Sequence, residues 1–265
     1  MELLTSLATV KAYLNVQTTN DDAVITRLIQ AVSSNLSAWL GRTFTPTRYL
    51  EYRNGQGQTA MSVKNFPILA VSNVQTAAWG VIPVGTPVSP LNTQQQPGYY
   101  FDRSTIYLQG YNFETGVQNV LLDYTAGTVA SETDVIPGTP YQITVSPPGL
   151  YLLDQGVVYA DTGVALIKVT TSPTLGQYSV SGSIYTLAAA DSGASVIISY
   201  GYVPETVEQA AIKWVAVSYR ERAREGLKSR VLQGESESYV VQEMPDEVAG
   251  AAQPYRRMVL TLEAP

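Results

Sequence analysis

Apolar residues recur at steps of three and four between residues 20 and 44. Ile25, Leu28, Ile29, Val32, Leu36, Trp39 and Leu40 share one face of a predicted helix of about five turns. Asn20 is placed to cap its start, and Asp21 and Asp22 fall in the first turn, where the positive end of the helix dipole favours carboxylates. Gly41 is placed to end it in the left-handed conformation. A shorter helix is predicted from Ser6 to Leu14, with Leu7, Val10, Tyr13 and Leu14 on one face and the polar loop Gln17 to Asn20 after it. A third begins at Pro204, which suits a first-turn position with Glu205 beside it, and Val207, Ala210, Ala211, Trp214, Val215 and Ser218 form a second apolar stripe predicted to pack on the long helix.

Between Arg42 and Tyr202 the pattern changes to alternating Val, Ile, Tyr and Thr broken by Gly, Pro, Asn and Asp, which predicts many short strands. The best candidates are Tyr49–Arg53, Ala60–Val63, Val71–Ala77, Ile106–Gln109, Val120–Tyr124, Gln142–Val145, Val157–Ala160, Leu166–Thr170, Gln177–Val180 and Val196–Tyr200. The expected fold class is α+β. N- and C-terminal helices form a small bundle around a large antiparallel β-rich middle. From Gly226 onward the chain reads as polar and mobile until Val248–Leu262, a weakly amphipathic tail interrupted by Pro254-Tyr255-Arg256-Arg257.

Part of the β-rich region echoes itself. Ile106-Tyr107-Leu108 leads through a glycine-containing loop to Val120-Leu121-Leu122-Asp123-Tyr124. Ile184-Tyr185-Thr186-Leu187 leads through Asp191-Ser192-Gly193 to Val196-Ile197-Ile198-Ser199-Tyr200. Each reads as a hairpin ending in a strand with an exit tyrosine, so two β-modules are expected, although antiparallel hairpins resemble one another without common origin. The predicted organisation is a helical core from residues 1–45 and 203–265, a β-rich segment from 46–130 and an inserted antiparallel module from 131–202.

The 265 residues contain no cysteine and no histidine. This excludes disulfides, thiolate nucleophiles, thiolate metal sites and every triad that relies on imidazole. The net charge of −6 argues against a field that attracts nucleic acid as a whole. No apolar run approaches the roughly 18 residues needed to span a bilayer, and Met1-Glu2-Leu3-Leu4 lacks the features of a signal peptide, so synthesis in the cytoplasm without membrane attachment is expected.

Few motifs point to chemistry. Asp161-Thr162-Gly163 and Asp191-Ser192-Gly193 match the triplet of aspartic proteases, in which two carboxylates share a proton. Their close spacing does not suit two protease lobes, and Asp-x-Gly is itself a favoured turn. Asp21 and Asp22 lack the alternating acids of a calcium loop, and Gly55-Gln56-Gly57 lacks the lysine of a phosphate loop and reads as a hairpin turn. No catalytic residue, cofactor or metal is therefore assigned. Lys213, Arg220, Arg222, Arg224, Lys228 and Arg230 place six of the sixteen basic residues within one short stretch. They suit DNA phosphates or an acidic protein partner, with the acidic net charge against the first, or a solvated helix end with Glu221 and Glu225 at pairing distance.

In order and register these segments resemble the head–tail connector, or adaptor, family of long-tailed bacteriophages. The resemblance is carried by Leu7-Ala8-Thr9-Val10-Lys11-Ala12-Tyr13-Leu14, Asp21-Asp22 through Leu28-Ile29, and Ala38-Trp39-Leu40-Gly41-Arg42-Thr43-Phe44. Tyr200-Gly201-Tyr202-Val203-Pro204 with Val207-Glu208-Gln209-Ala210-Ala211-Ile212 continues it. Met244-Pro245-Asp246-Glu247-Val248 and Pro254-Tyr255-Arg256-Arg257 are similar to the family's ending. The resemblance covers residues 5–127 and 198–260.

It implies a structural virion protein, not an enzyme, that sits in the neck as a dodecameric ring beneath the portal and extends the DNA channel. Its implied partners are its own copies, the portal and a tail-side stopper or tail terminator, with DNA passing through the lumen without sequence-specific binding. Arg220, Arg222, Arg224, Lys228, Arg230, Tyr255, Arg256 and Arg257 are the expected interface to the portal or a neighbouring subunit. The competing reading is a β-rich glycan- or host-surface-binding module on a helical oligomerisation base, carried by the abundance of tyrosine, 18 in all.

Overall fold

The computed structural model describes residues 2–85, 96–222, 229–232, 235–238 and 244–257. Its chain divides into two compact units. One comprises residues 1–43, 146–152 and 202–265, and the other residues 44–145 and 153–201. The fold is α+β with a β-rich middle.

The first unit is built on α1 (Leu7–Leu14), α2 (Asp22–Leu40), α3 (Glu205–Glu221) and α4 (Asp246–Ala252). Ser6 caps α1 by accepting from the Thr9 N–H at 3.1 Å. Lys11 then ties α1 to the start of α2 through Asp22 at 2.6 Å. The stripe read from the sequence is the buried one: Ile25, Ile29, Val32, Leu36 and Leu40 on α2, and Val207, Ala210, Ala211, Trp214 and Val215 on α3. Burial of each large aliphatic side chain contributes about 1.5–3 kcal/mol, and the alanines let the two helix backbones approach.

Two terminal details differ from expectation. Asp21, not Asn20, occupies the cap position of α2, and its side chain makes no capping bond, because its carboxylate is engaged by Tyr219 instead. Pro204 immediately precedes α3. Gly41 ends α2 at φ 66° as predicted, its N–H donating to Ser37 O at 2.9 Å. The stretch read as polar and mobile contains a short hairpin of Ser229–Leu232 with Glu235–Ser238, while residues 226–228, 233–234, 239–243 and 258–262 lie outside the described residues.

The second unit carries most of fourteen strands. They are β1 (Thr47–Gly55), β2 (Ala60–Ser62), β3 (Ile68–Thr76), β4 (Gly80–Val81), β5 (Gly98–Phe101), β6 (Thr105–Gln109) and β7 (Gly116–Ala126), followed by β8 (Val129–Val135), β9 (Gln142–Thr144), β10 (Gly149–Tyr159), β11 (Ile167–Lys168), β12 (Gln177–Ser181), β13 (Ile184–Leu187) and β14 (Ser195–Pro204). All ten predicted strands are present. The structure adds others, including β5 and the polar β8.

The connections differ from the sequence reading. Ile106–Leu108 and Val120–Tyr124 are not hairpin partners, because β6 lies between β2 and β5 while β7 lies between β1 and β3. Nor are Ile184–Leu187 and Val196–Tyr200, because β13 lies between β12 and β9 while β14 lies between β10 and β8. Gly55-Gln56-Gly57 likewise joins strands of two different sheets. Turn chemistry fixes where a chain reverses, but the sheet a strand then enters is decided by burial of its face.

Compared strand by strand, β8–β14 repeat the pairing scheme of β1–β7. In both halves the last strand lies between the first and third, and the second strand pairs with the sixth. The register agrees: Met61 opposes Ile106 as Ile143 opposes Tyr185, and Tyr99 opposes Leu108 as Tyr178 opposes Leu187. Backbone bonds outside the ladders agree too. Val63 donates to Ser104 at 2.9 Å and Val145 to Ser183 at 3.0 Å, while Ile82 donates to Val74 and Leu166 to Val157, both at 2.8 Å.

The cores match position for position. Met61, Val63, Val74, Ile82, Tyr99, Ile106, Leu108, Val120, Leu122 and Tyr124 are buried in the first half. Ile143, Val145, Val157, Leu166, Tyr178, Tyr185, Leu187, Val196, Ile198 and Tyr200 are buried in the second. Even a polar contact is duplicated, since the Tyr124 hydroxyl donates to Glu51 and the Tyr200 hydroxyl to Glu132. The β-region is therefore a tandem repeat of one seven-strand module, legible in the sequence only at the two segments that echo.

Candidate functional site

The basic residues singled out in the sequence occupy opposite ends of α2. Antiparallel packing brings the end of α3 to the start of α2, where the Tyr219 hydroxyl donates to Asp21 Oδ2 at 2.5 Å. Arg222 closes this cluster. Its guanidinium lies 3.8 Å from the Tyr219 ring centroid, donates through Nη1 to the Tyr219 carbonyl at 2.8 Å and approaches Asp21 Oδ2 at 3.7 Å. The charge of Arg222 is thus partly met within the chain, whereas Arg220 is exposed on the last turn of α3.

At the other end, Arg256 lies 4.8 Å over the Trp39 ring, and the Arg257 N–H donates to Leu40 O at 2.8 Å. Tyr255, half-buried, closes the short 3-10 turn that leads there from α4. The nineteen residues of α2 separate the two clusters by about 28 Å at 1.5 Å per residue. Of the remaining candidates, Arg230 sits in the short hairpin opposite Glu237, while Arg224 and Lys228 lie outside the described residues. Sequence reasoning missed Asp21, Tyr219 and Trp39 as the partners that organise the two clusters. Their signal was only a charged or aromatic residue at the end of an apolar stripe.

The carboxylates weighed for catalysis are otherwise engaged or apart. Asp191 is buried and accepts from the Tyr159 hydroxyl at 2.7 Å and from the Gly176 N–H at 2.9 Å, whereas Asp161 is exposed. Desolvation, then the bond to Asp191, pushes the Tyr159 phenol up to about 12. Asp154 accepts from Tyr178, Tyr185 and the Gly156 N–H and pairs with Lys168 at 2.9 Å. Asp22 is held by Lys11. Glu208, on the buried side of α3, is raised above the usual carboxylate range by desolvation and by Glu205. Among the described residues no group of three or more acidic side chains is placed to hold a metal ion, and no helix is long and apolar enough to cross a membrane.

The sequence pattern of the head completion protein family matches residues 3–135. This segment runs through α1, α2 and the whole first β-module and ends at the last residue of β8. The chain belongs to the head completion protein family. A solved structure described as the neck of an empty GTA particle computed with C6 symmetry is similar over 99% of this chain and 94% of that chain, at 13% identity and a TM-score of 0.43. A search of curated proteins gave no match. The family's description, head completion, makes this chain a structural virion protein. The second β-module, apart from β8, lies beyond the segment that defines the family.

Proposed function

We propose that this head completion protein forms a dodecameric ring beneath the portal, extends the DNA channel and presents its far side to a tail-side stopper or tail terminator. The observation that carries this reading is the family match over α1, α2 and the first β-module. The acidic net charge suits a conduit, because a negative field disfavours adhesion of DNA to the wall and lets it pass without sequence-specific contact.

The two basic clusters serve two contacts. Arg222 is already met by Asp21 and Tyr219, which suits the Arg220–Arg222 end, together with Arg224, Lys228 and Arg230, to a neighbouring subunit. Tyr255, Arg256 and Arg257 stand about 28 Å away along α2 and form the portal-facing contact, where an aromatic beside the exposed Arg256 makes an effective anchor.

Imaging of intact particles tests the ring directly: density for this protein forms a closed ring under the capsid vertex, and its presence anywhere else sinks the reading. For the portal contact, Arg256→Glu/Arg257→Glu is expected to release the protein from portal-containing heads while leaving it folded. Unchanged attachment of the double variant overturns the assignment.

A further inference from the structure

Buried carboxylates in this chain come with donors. Glu51 accepts from the Tyr124 hydroxyl, the Lys64 N–H and Arg53, Asp123 is held by Arg48, and Asp191 takes the Tyr159 hydroxyl and the Gly176 N–H. Glu208 breaks this pattern. It lies in the first turn of α3, is only 8% exposed, and among the described residues neither accepts a hydrogen bond nor meets a cation. The charge that acts on it is a like one, Glu205, exposed one turn earlier.

The helix dipole favours carboxylates at this end and accounts for the exposed Glu205. It does not account for Glu208, because the dipole contributes less than it costs to withdraw a carboxylate from water without a donor. A desolvated charge left unmatched in its own chain fits a site completed by another molecule.

The opposite end of α3 holds the complement. Arg220 stands exposed in the last turn and pairs with no carboxylate among the described residues, since Asp21 there is taken by Tyr219 and Arg222. Glu208 and Arg220 are separated by about 18 Å along the helix at 1.5 Å per residue, so within one chain they do not meet.

We propose that Arg220 of one copy docks at the Glu205–Glu208 start of α3 in the next copy. This rests on the ring reading above, which gives the Arg220–Arg222 end to a neighbouring subunit, and it supplies the surface that receives that end. A second copy is the favoured occupant because the two unmatched charges are opposite and sit on different parts of one chain. Such a contact is heterologous, so a terminal acidic start and a terminal basic end stay open until the ring closes. Arginine also suits the receiving site, since its planar fork can give one N–H to Glu208 and another to Glu205 and stays charged when desolvated.

Charge exchange tests the pairing in assembled particles. Glu205→Lys and Arg220→Glu alter exposed positions, so each variant is expected to keep the parent's circular dichroism. Supplied alone, either is expected to enter particles about tenfold less than the parent, or lower still. The double variant Glu205→Lys/Arg220→Glu restores opposite charges across every contact and is expected to recover incorporation. Full incorporation of either single variant overturns the proposal. So does a folded double variant that stays excluded, because the acidic start then meets a cation of a different neck protein.

Glu208 itself is read by Glu208→Gln. In the isolated chain, loss of a desolvated charge is expected to raise the unfolding midpoint, while incorporation falls. A lowered midpoint means that Glu208 is already satisfied within its own chain and overturns the proposal.

Cross-linking separates this contact from the ring itself. The chain has no cysteine of its own, and Gln209 and Glu221 are exposed neighbours of the pair. In particles, Gln209→Cys/Glu221→Cys treated with a short bis-maleimide is expected to give a ladder of multimers, and each single cysteine variant none. A ring imaged in the neck without a ladder overturns this contact and leaves the ring standing. Particles whose necks show no ring of this protein overturn the ring reading as well.

Discussion

The backbone N–H of Arg257 donates to the carbonyl oxygen of Leu40 at 2.8 Å, so the end of the described chain is fastened to the last turn of α2. Beside this bond the Arg256 guanidinium covers the Trp39 ring. The pairing satisfies a helix-end carbonyl that would otherwise need water, and it places two cations at the negative end of the α2 dipole. Arg256→Ala is therefore expected to destabilise the protein by about 0.5–1 kcal/mol, the range of an exposed cation–π contact. Removal of residues 256–265 is expected to cost about 1 kcal/mol more by freeing the Leu40 carbonyl. Chemical denaturation checks both, and no change in either variant would show that the terminal segment is not docked in solution.

The duplicated tyrosine–glutamate contact gives a comparison within one molecule. Glu51 is buried and also accepts from the Lys64 N–H at 3.1 Å and from Arg53 at 3.1 Å, while Tyr124 is fully buried. Glu132, at the matching position of β8, is only half-buried. Loss of a hydroxyl from a buried charged network costs about 1–3 kcal/mol, and less where water can replace it. Tyr124→Phe is therefore expected to lower stability more than Tyr200→Phe. A double-mutant cycle of Tyr124→Phe with Glu51→Gln, followed by denaturant unfolding, should return a coupling of about 1 kcal/mol or more. Equal effects in the two modules would contradict the burial argument.

What was legible in the sequence follows from how local each signal is. The α2 and α3 stripes and the left-handed Gly41 depend on neighbours within one or two turns, and they appear where expected. Strand positions were readable from alternation, except that β8, whose Ser131, Thr133 and Asp134 face solvent, carries too little apolar signal. Pairing was not readable. The echo of Ile106–Tyr124 in Ile184–Tyr200 was seen as two hairpins, yet each pair of strands belongs to two sheets, a choice made by contacts distant in sequence. Of the residues named together as an interface to the portal or a neighbouring subunit, Arg222 lies at the start of α2 and Arg256 and Arg257 at its end. The partners Asp21 and Trp39 could not be found without knowing which helix ends meet.

Tyr159 and Asp191 carry a pH dependence whose sign is fixed. The Tyr159 phenol is raised to about 12 in the folded protein, from an unfolded value of about 10. Its stabilising contribution is therefore fully present below pH 10 and is lost as pH rises toward 12. Tyr159→Phe is expected to remove this alkaline step, and at neutral pH to destabilise by about 1–3 kcal/mol because the buried Asp191 loses a donor. Unfolding followed by circular dichroism between pH 7 and 12 reads both effects. A Phe variant with the same alkaline profile as the parent would assign that transition to other tyrosines.

Gly149 stands where β10 passes the junction of β14 and α3. Its φ is +134°, and a Cβ there would lie 2.0 Å from Val203 O and 2.6 Å from Glu205 N. Both are backbone atoms, and they belong to the turn in which Glu205 N donates to Pro148 O at 3.0 Å, so neither can move without breaking the entry into α3. Gly127, at the exit of the first module, is likewise close to backbone, with a Cβ 2.5 Å from Pro46 Cα. An added methyl group at Gly149 therefore combines an unfavourable left-handed conformation with a direct backbone clash, and backbone strain of this kind costs about 1–3 kcal/mol before the clash is relieved. Gly149→Ala is expected to lower stability by more than 3 kcal/mol and to detach the N-terminus of α3. By contrast Gly138→Ala, whose Cβ would meet nothing within 4 Å, is expected to change stability by less than about 1 kcal/mol. Hydrogen exchange resolved by segment distinguishes the outcomes: in the Gly149 variant protection is lost first at the start of α3, and retention of that protection would show that the β10 crossing does not anchor the helix.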